Sequence, residues 1–180
     1  MSEVILELVE EFFQQRKFFT ARHGNLVLVR KIGKELEGSD TGFILDETSI
    51  QNISLAVVKA LAWHTCKITT RILETFPEIV EFAREEQTRR FTEWFKGEPF
   101  IKLLIIPQLP AHADLRDRVM KKLEDTGINH IMTIPSIISG VIERIEPRRI
   151  YTSPICDLLR ILKFYKIISS AREQMELPLR

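Results

Sequence analysis

The lysine and arginine residues of this chain are clustered. Clustered cations can bind a nucleic acid by neutralising its phosphates. Between residues 143 and 173, seven such bases stand against four acids, although the whole chain carries a formal charge of only +1. A solvated helix face has a similar composition, so the pattern is compatible with nucleic-acid binding and with a purely structural role. The residues predicted to contact nucleic acid are Arg30, Lys31, Arg148, Arg149 and Lys163.

Histidine and cysteine do not occur at the spacings of a metal site or a nucleophilic site. No histidine lies three or four residues from another, and none has a cysteine at ligand spacing. Cys66 and Cys156 are ninety residues apart within apolar patterns, which predicts buried free thiols and a reducing compartment. The motifs of nucleotide-binding loops, zinc proteases and serine hydrolases are absent from the sequence. We therefore expect no cofactor and no metal, apart from the magnesium considered below.

Hydrophobic periodicity predicts the elements that must position these residues. The pattern predicts an α/β (α+β-like) protein, with a mixed sheet built from a three-stranded meander and a β-α-β crossover, and with helices on both faces. Residues 1–146 would form this core, 147–173 a C-terminal helical addition and 174–180 an extended tail. The predicted elements are helix 3–18, strands 18–22, 26–30 and 43–45, helices 48–76 and 77–95, strand 103–106, helix 114–125, strand 128–134, and helices 137–145 and 154–166.

This order of elements resembles the restriction-endonuclease-like (PD-(D/E)XK) superfamily over roughly residues 1–146, and residues 127–133 resemble its last core strand. In active members, one acid precedes or lies on the second meander strand and an acid-x-Lys lies on the third. These groups hold one or two Mg²⁺, which activate water for attack on a phosphodiester. The resemblance implies Asp46 or Glu47 as the acid, and Lys59, in the helix predicted next, as a displaced lysine.

The sequence departs from the superfamily pattern on both strands. The predicted second strand contains no carboxylate, and the third reads Leu45-Asp46-Glu47-Thr48, with threonine in the lysine position. Adjacent residues of a strand point to opposite faces, so Asp46 and Glu47 cannot both enter one metal site unless the strand has ended before them. The interpretation that we favour is that both are charges at the start of the following helix. We therefore expect a degenerate member that does not cleave DNA.

The C-terminal seven residues, 174–180, resemble the short peptide by which many bacterial replication and repair proteins bind the sliding clamp. In an extended chain, Met175, Leu177 and Leu179 project to one side and could enter a hydrophobic groove, while the Gln174 amide bonds at its edge. Pro178 favours an extended conformation at Leu177, which lowers the entropic cost of binding. The resemblance implies a clamp partner, although the same residues could pack on the domain.

Three functions remain open at this stage. The first, which we favour, is a non-catalytic, DNA-associated accessory protein on a degenerate nuclease-like scaffold; the second is a Mg²⁺-dependent DNA nuclease. The third is a protein-interaction scaffold without a nucleic-acid role. No apolar run is long enough for a transmembrane helix, and the N-terminus lacks the pattern of a signal peptide. We expect a cytoplasmic protein without a membrane partner, and the oligomeric state stays open.

Overall fold

A five-stranded mixed sheet forms the centre of the computed structural model, which describes residues 3–33, 43–45, 49–61 and 77–169. The strands are adjacent in chain order from β1 to β5. The first three form an antiparallel meander, whereas β3, β4 and β5 run parallel to one another. The strands are β1 (Phe18–His23), β2 (Leu26–Lys31), β3 (Leu55–Ala60), β4 (Ile101–Ile106) and β5 (His130–Thr133). The mixed α/β architecture predicted from the sequence is confirmed.

The third meander strand is not the one that the sequence predicted. Residues 55–60 form β3, and Ser49–Asn52 form a short 3-10 turn, so the predicted helix 48–76 is wrong over its described part. All six residues of β3 are buried. A central strand covered on both faces is a continuous apolar run, and periodicity alone does not separate such a run from a buried helix.

Residues 43–45 lie at the edge of the sheet beside β5, and not next to β2 as predicted. Ile44 forms an isolated parallel bridge with Ile131 of β5, and the Leu45 N–H donates to the Ile131 carbonyl at 2.9 Å. Pairing of this segment with β2 is therefore wrong, because β3 occupies that place. The predicted residues Asp46 and Glu47 lie outside the described residues.

The hairpin and the crossover are confirmed. Gly24 and Asn25 join β1 to β2, and Gly24 has a φ of 60°, the left-handed conformation that a two-residue hairpin turn requires. The predicted helix 77–95 is divided at Arg84, whose ψ of 145° is extended. The described helices are α1 (Glu3–Gln14), α2 (Pro77–Ala83), α3 (Glu85–Trp94), α4 (Ala113–Asp125), α5 (Ile134–Arg144) and α6 (Pro154–Phe164).

Helices cover both faces of the sheet, as predicted. One apolar cluster joins α1, α5 and α6 to residues such as Val58 and Ile105, and a second joins α2, α3 and α4 to residues such as Val57 and Leu104. None of the helices in the described ranges is long and apolar enough to cross a membrane.

Candidate functional site: a cleft beside the end of the central strand

A cleft of about 210 Å³ opens beside the carboxyl end of β3. Its walls are the β1–β2 turn, the end of β3 and the facing sides of α2 and α3. Ligands of open α/β sheets generally bind beyond the carboxyl ends of the parallel strands. The side chains with chemical groups that line the cleft are His23, Lys59, Glu78, Glu81, Gln87, Arg90 and Trp94.

Lys59 is the deepest charged group of the cleft. It alternates with Leu55 and Val57 along β3 and therefore points toward α2 and α3, where it is only 4% exposed. Its Nζ lies 3.6 Å from Oε2 of Glu78. Burial lowers the pKa of Lys59, while the charges of Glu78 and Glu81 act in the opposite direction. A buried lysine with a perturbed pKa in a cleft is a typical feature of a functional site.

Helix α2 supplies the acids of the cleft and also accepts a hydrogen bond from a second buried lysine. Glu78, in the first turn, and Glu81, one turn later, both face the cleft. At the other end of the helix, Nζ of Lys102 on β4 donates to the Ala83 carbonyl at 3.1 Å. Burial also lowers the pKa of Lys102. The sheet therefore contacts α2 through one lysine near each end.

Aromatic and cationic side chains in mutual contact form one wall of the cleft. The rings of His23 and Trp94 have centroids 4.2 Å apart, and the Arg90 guanidinium lies 5.3 Å from the Trp94 ring centroid. Phe91 packs below, 5.2 Å from the Trp94 ring. Phe82, Phe91 and Phe95 are buried in the core, whereas Trp94 also lines the cleft.

The place of Lys59 corrects the sequence-based interpretation. We predicted it in a helix as a displaced lysine, but it lies on the third strand of the meander. Two residues earlier on that strand, where the superfamily has its acid, stands Val57, which is fully buried. Neither β2 nor β3 carries a carboxylate. Within the described residues, no group of three or more His, Cys, Asp and Glu side chains is arranged to hold a metal ion.

Three of the five residues predicted to contact nucleic acid make structural contacts. Arg30 forms a two-pronged ion pair with Glu98, at 2.9 and 3.1 Å, and Nζ of Lys31 donates to the Gln51 carbonyl. Lys163 donates to the carbonyls of Ile142 and Ile145, both at 3.1 Å. The remaining two, Arg148 and Arg149, are exposed, and the Arg149 guanidinium lies 5.4 Å from the Tyr151 ring centroid.

Several bases lie at the end of the sheet opposite the cleft. Helices α1 and α5 end together there, because Arg144 donates to the Gln15 carbonyl at 3.2 Å. The end of β2 lies beside them, since the Ile32 N–H donates to the Lys17 carbonyl at 2.8 Å. Arg148 and Arg149 follow α5 within five residues. We call this group the basic end: Lys17, Lys31, Arg144, Arg148 and Arg149.

Comparisons with protein-family models, curated proteins and solved structures find no match for this chain. The class that the structure defines is a mixed α/β sheet with helices on both faces. Sequence reasoning missed Glu78, Glu81, Arg90 and Trp94 as neighbours of Lys59. Glu78 and Glu81, three residues apart directly after Pro77, could have indicated an acidic helix side. They become neighbours of Lys59 only when residues 55–60 are a strand of the sheet.

Proposed function

We propose that the protein is a non-catalytic, DNA-associated accessory protein on a restriction-endonuclease-like scaffold, acting in the cytoplasm. One observation carries the proposal: the third meander strand contains Val57-Val58-Lys59. This keeps the lysine of the superfamily's acid-x-Lys pattern and replaces the acid with valine. Magnesium is bound by oxygen ligands, which a valine side chain does not have.

The surroundings of Lys59 support the same proposal. Its ammonium group is held by Glu78, so its charge is already compensated inside the protein. The neighbouring residues on β2, Leu26 and Leu28, are apolar. A metal ion at this place would therefore have to be held by oxygen ligands from other elements.

The basic end is the surface that we propose for DNA. Arg148 and Arg149 are exposed arginines, which suit bidentate contacts to phosphate. Their position, remote from the cleft, separates DNA association from the degenerate site.

Fluorescence anisotropy with labelled single- and double-stranded DNA tests this surface. We expect binding that weakens between about 50 and 200 mM salt, and a loss of about tenfold or more in the double variant Arg148→Glu, Arg149→Glu, with a shallower salt slope. The control is Arg116→Glu, Arg118→Glu, which makes the same charge change at exposed positions of α4. Absence of salt-dependent binding, or equal losses in both double variants, would contradict the proposal and favour a scaffold without a nucleic-acid role.

A magnesium-dependent nuclease is the second candidate, and the observation that favours it is the presence of Glu78 and Glu81 beside Lys59. Incubation of labelled DNA with the protein and Mg²⁺ or Mn²⁺ separates the two functions. We expect intact DNA. Metal-dependent products that disappear in Glu78→Gln would establish the second candidate, and Asp46→Ala and Glu47→Ala test the acids outside the described residues.

The sliding clamp remains the partner that we propose for residues Gln174, Met175, Leu177 and Leu179, on the sequence resemblance alone, because these residues lie outside the described part of the chain. A pull-down with the clamp compares the full chain with one ending at Glu173. We expect capture of the full chain only. Equal capture of both chains would remove the clamp from the proposal.

A further inference from the structure

Helix α6 is apolar on two opposite sides, and among the described residues other elements of the domain pack against only one of them. On the inner side, Cys156 is buried, and Ile155 and Leu159 pack against the cluster of α1 and α5. On the outer side, Leu158 and Ile161 are exposed. Tyr165, directly after the helix, continues the same stripe, because residues 158, 161 and 165 follow the i, i+3, i+7 spacing.

Two further exposed side chains, Phe164 and Ile167, widen this stripe, and the Phe164 and Tyr165 rings pack edge to face with centroids 5.3 Å apart. We call the set the α6 face: Leu158, Ile161, Phe164, Tyr165 and Ile167. From the areas of such side chains, the exposed part amounts to roughly 400 Å². Patches of this size on a soluble protein are commonly interaction surfaces.

We propose that the α6 face binds the α6 face of a second copy of this chain, with the two helices antiparallel and a twofold axis at Ile161. The spacing along the helix fits this symmetry. Leu158 lies three residues before Ile161, and Phe164 and Tyr165 lie three and four residues after it. An axis at Ile161 therefore places Leu158 against the two aromatic rings of the other copy, in the self-complementary manner of a twofold interface.

The charges of α6 favour the antiparallel orientation. Asp157 lies in the first turn, Lys163 lies in the last turn, and Lys166 follows the helix. An antiparallel pair brings the first turn of each helix, with Asp157, beside Lys166 of the other and aligns the helix dipoles favourably, whereas a parallel pair sets the dipoles against each other. Asp157, four residues before Ile161, borders the α6 face, and its charge is compensated by Arg160, whose Nε lies 2.8 Å from Oδ1 of Asp157.

The available area is sufficient for a reversible dimer. Two copies of the α6 face would bury about 800 Å² of apolar surface, and homodimer interfaces are about 65% apolar. This apolar area is at the small end of specific interfaces, so the contact suits a weak, reversible dimer. We expect dissociation in the micromolar range. The proposal is independent of the proposed DNA association, which rests on other residues.

Sedimentation equilibrium of the full chain over a range of concentrations tests the dimer. Ile161→Asp places two carboxylates at the twofold axis and should weaken association at least about tenfold. Ile138→Asp is the matched control, because Ile138 is 36% exposed on α5 and Ile161 is 38% exposed on α6. A wild-type chain that stays monomeric at about 100 µM, or equal effects of both variants, overturns the proposal.

The identity of the occupant and the orientation have separate tests. If the full chain is monomeric while a chain ending at Ser169 dimerises, residues 170–180 cover the α6 face and the proposal fails.

For the orientation, a Leu158→Cys chain is mixed with a Tyr165→Cys chain under oxidation, with the wild-type chain as background. A disulfide between the two variants supports the antiparallel pair, and a bond between two Leu158→Cys chains overturns it.

Discussion

Lys59 and Lys102 are buried ammonium groups on the face of the sheet that packs against α2 and α3, and each has an oxygen partner on α2. Glu78 compensates Lys59, whereas Lys102 has the neutral carbonyl of Ala83. Burial lowers the pKa of both groups, because the charged form loses its hydration inside the protein. This lowering makes stability depend on pH.

The pH dependence has a definite sign. Between the lowered pKa of folded Lys59 and its ordinary value of 10.5, the unfolded chain binds more protons, so the free energy of unfolding rises with pH. Below the lowered pKa, the cost of burying the charge is fully present. Lys59→Met removes this cost, so its stability relative to wild type should be highest near neutral pH and should fall toward about pH 10.

Urea unfolding at about pH 7 and about pH 9.5 measures this difference. Lys121→Met, at an exposed position of α4, is the control and should show the same small effect at both pH values. An advantage of Lys59→Met that does not change with pH would contradict the lowered pKa.

Gly140 is the point of closest approach between α5 and α1. A Cβ there would lie 2.6 Å from Nη2 of Arg16 and 2.7 Å from Cε2 of Phe12. Arg16 is buried, stacks on the Phe12 ring at 3.7 Å and donates to the Gly140 carbonyl at 3.2 Å, so it cannot yield easily.

Gly140→Ala should therefore destabilise the protein. A glycine in a helix is normally about 1 kcal/mol worse than alanine, but overpacking costs about 1–3 kcal/mol. Because two contacts fall below 3.0 Å, we expect the clash to exceed the gain, with a net loss of about 1–2 kcal/mol in thermal or urea unfolding. Ser139→Ala, on the exposed side of the same helix, should be neutral or slightly stabilising. A stabilised Gly140→Ala would contradict this packing.

Cys156 should be an unreactive thiol in the folded protein. Burial and the hydrogen bond from its Sγ to Glu11, 3.2 Å long, raise the pKa of Cys156 to about 12. Since the thiolate is the nucleophile, iodoacetamide at about pH 8 should modify the Cys156 peptide only after unfolding. Peptide mass spectrometry with and without urea measures this, and rapid labelling of the native chain would show that the site is open.

At the scale of elements, Lys163 of α6 connects this helix to the end of α5 by hydrogen bonds. Its two hydrogen bonds satisfy the Ile145 carbonyl and give a second donor to the Ile142 carbonyl, which also accepts from the Ile145 N–H at 3.3 Å. Lys163→Met should cost about 1–2 kcal/mol of stability. It should reduce DNA affinity far less than the Arg148→Glu, Arg149→Glu variant. Unfolding and anisotropy on the same samples check both expectations, and a stable Lys163→Met that has lost DNA binding would show that Lys163 contacts DNA instead.

At the scale of the whole molecule, α6 belongs to the same core as α1 and α5, because Ile155, Cys156 and Leu159 pack on that cluster. A chain ending at Glu146 should lose about 3–6 kcal/mol from the burial of these side chains. A chain ending at Ser169 should keep full stability. Calorimetry of the three lengths measures the effect, and an unchanged transition for the chain ending at Glu146 would show that residues 147–169 are a dispensable addition.

Local signals in the sequence were sufficient for the β1–β2 hairpin, for α4 and for α6. A glycine turn, an N-terminal cap such as Ser153 and helical periodicity act between neighbours in the chain, so they can be interpreted without a tertiary model. They were insufficient for residues 43–60. An apolar run such as Leu55–Ala60 is equally compatible with a buried helix and with a buried strand. Only its pairing with β2 and β4 shows that it is a strand.

The composition and periodicity of the sequence by themselves determined a mixed α/β protein, whereas Lys59 became a candidate residue only through the family resemblance. The tertiary structure alone decided that Lys59 lies on the central strand beside Glu78, and that residues 43–45 lie at the far edge beside β5. The physical reason is that strand pairing, and parallel pairing above all, joins residues remote in the chain, while sequence patterns record mainly contacts between near neighbours.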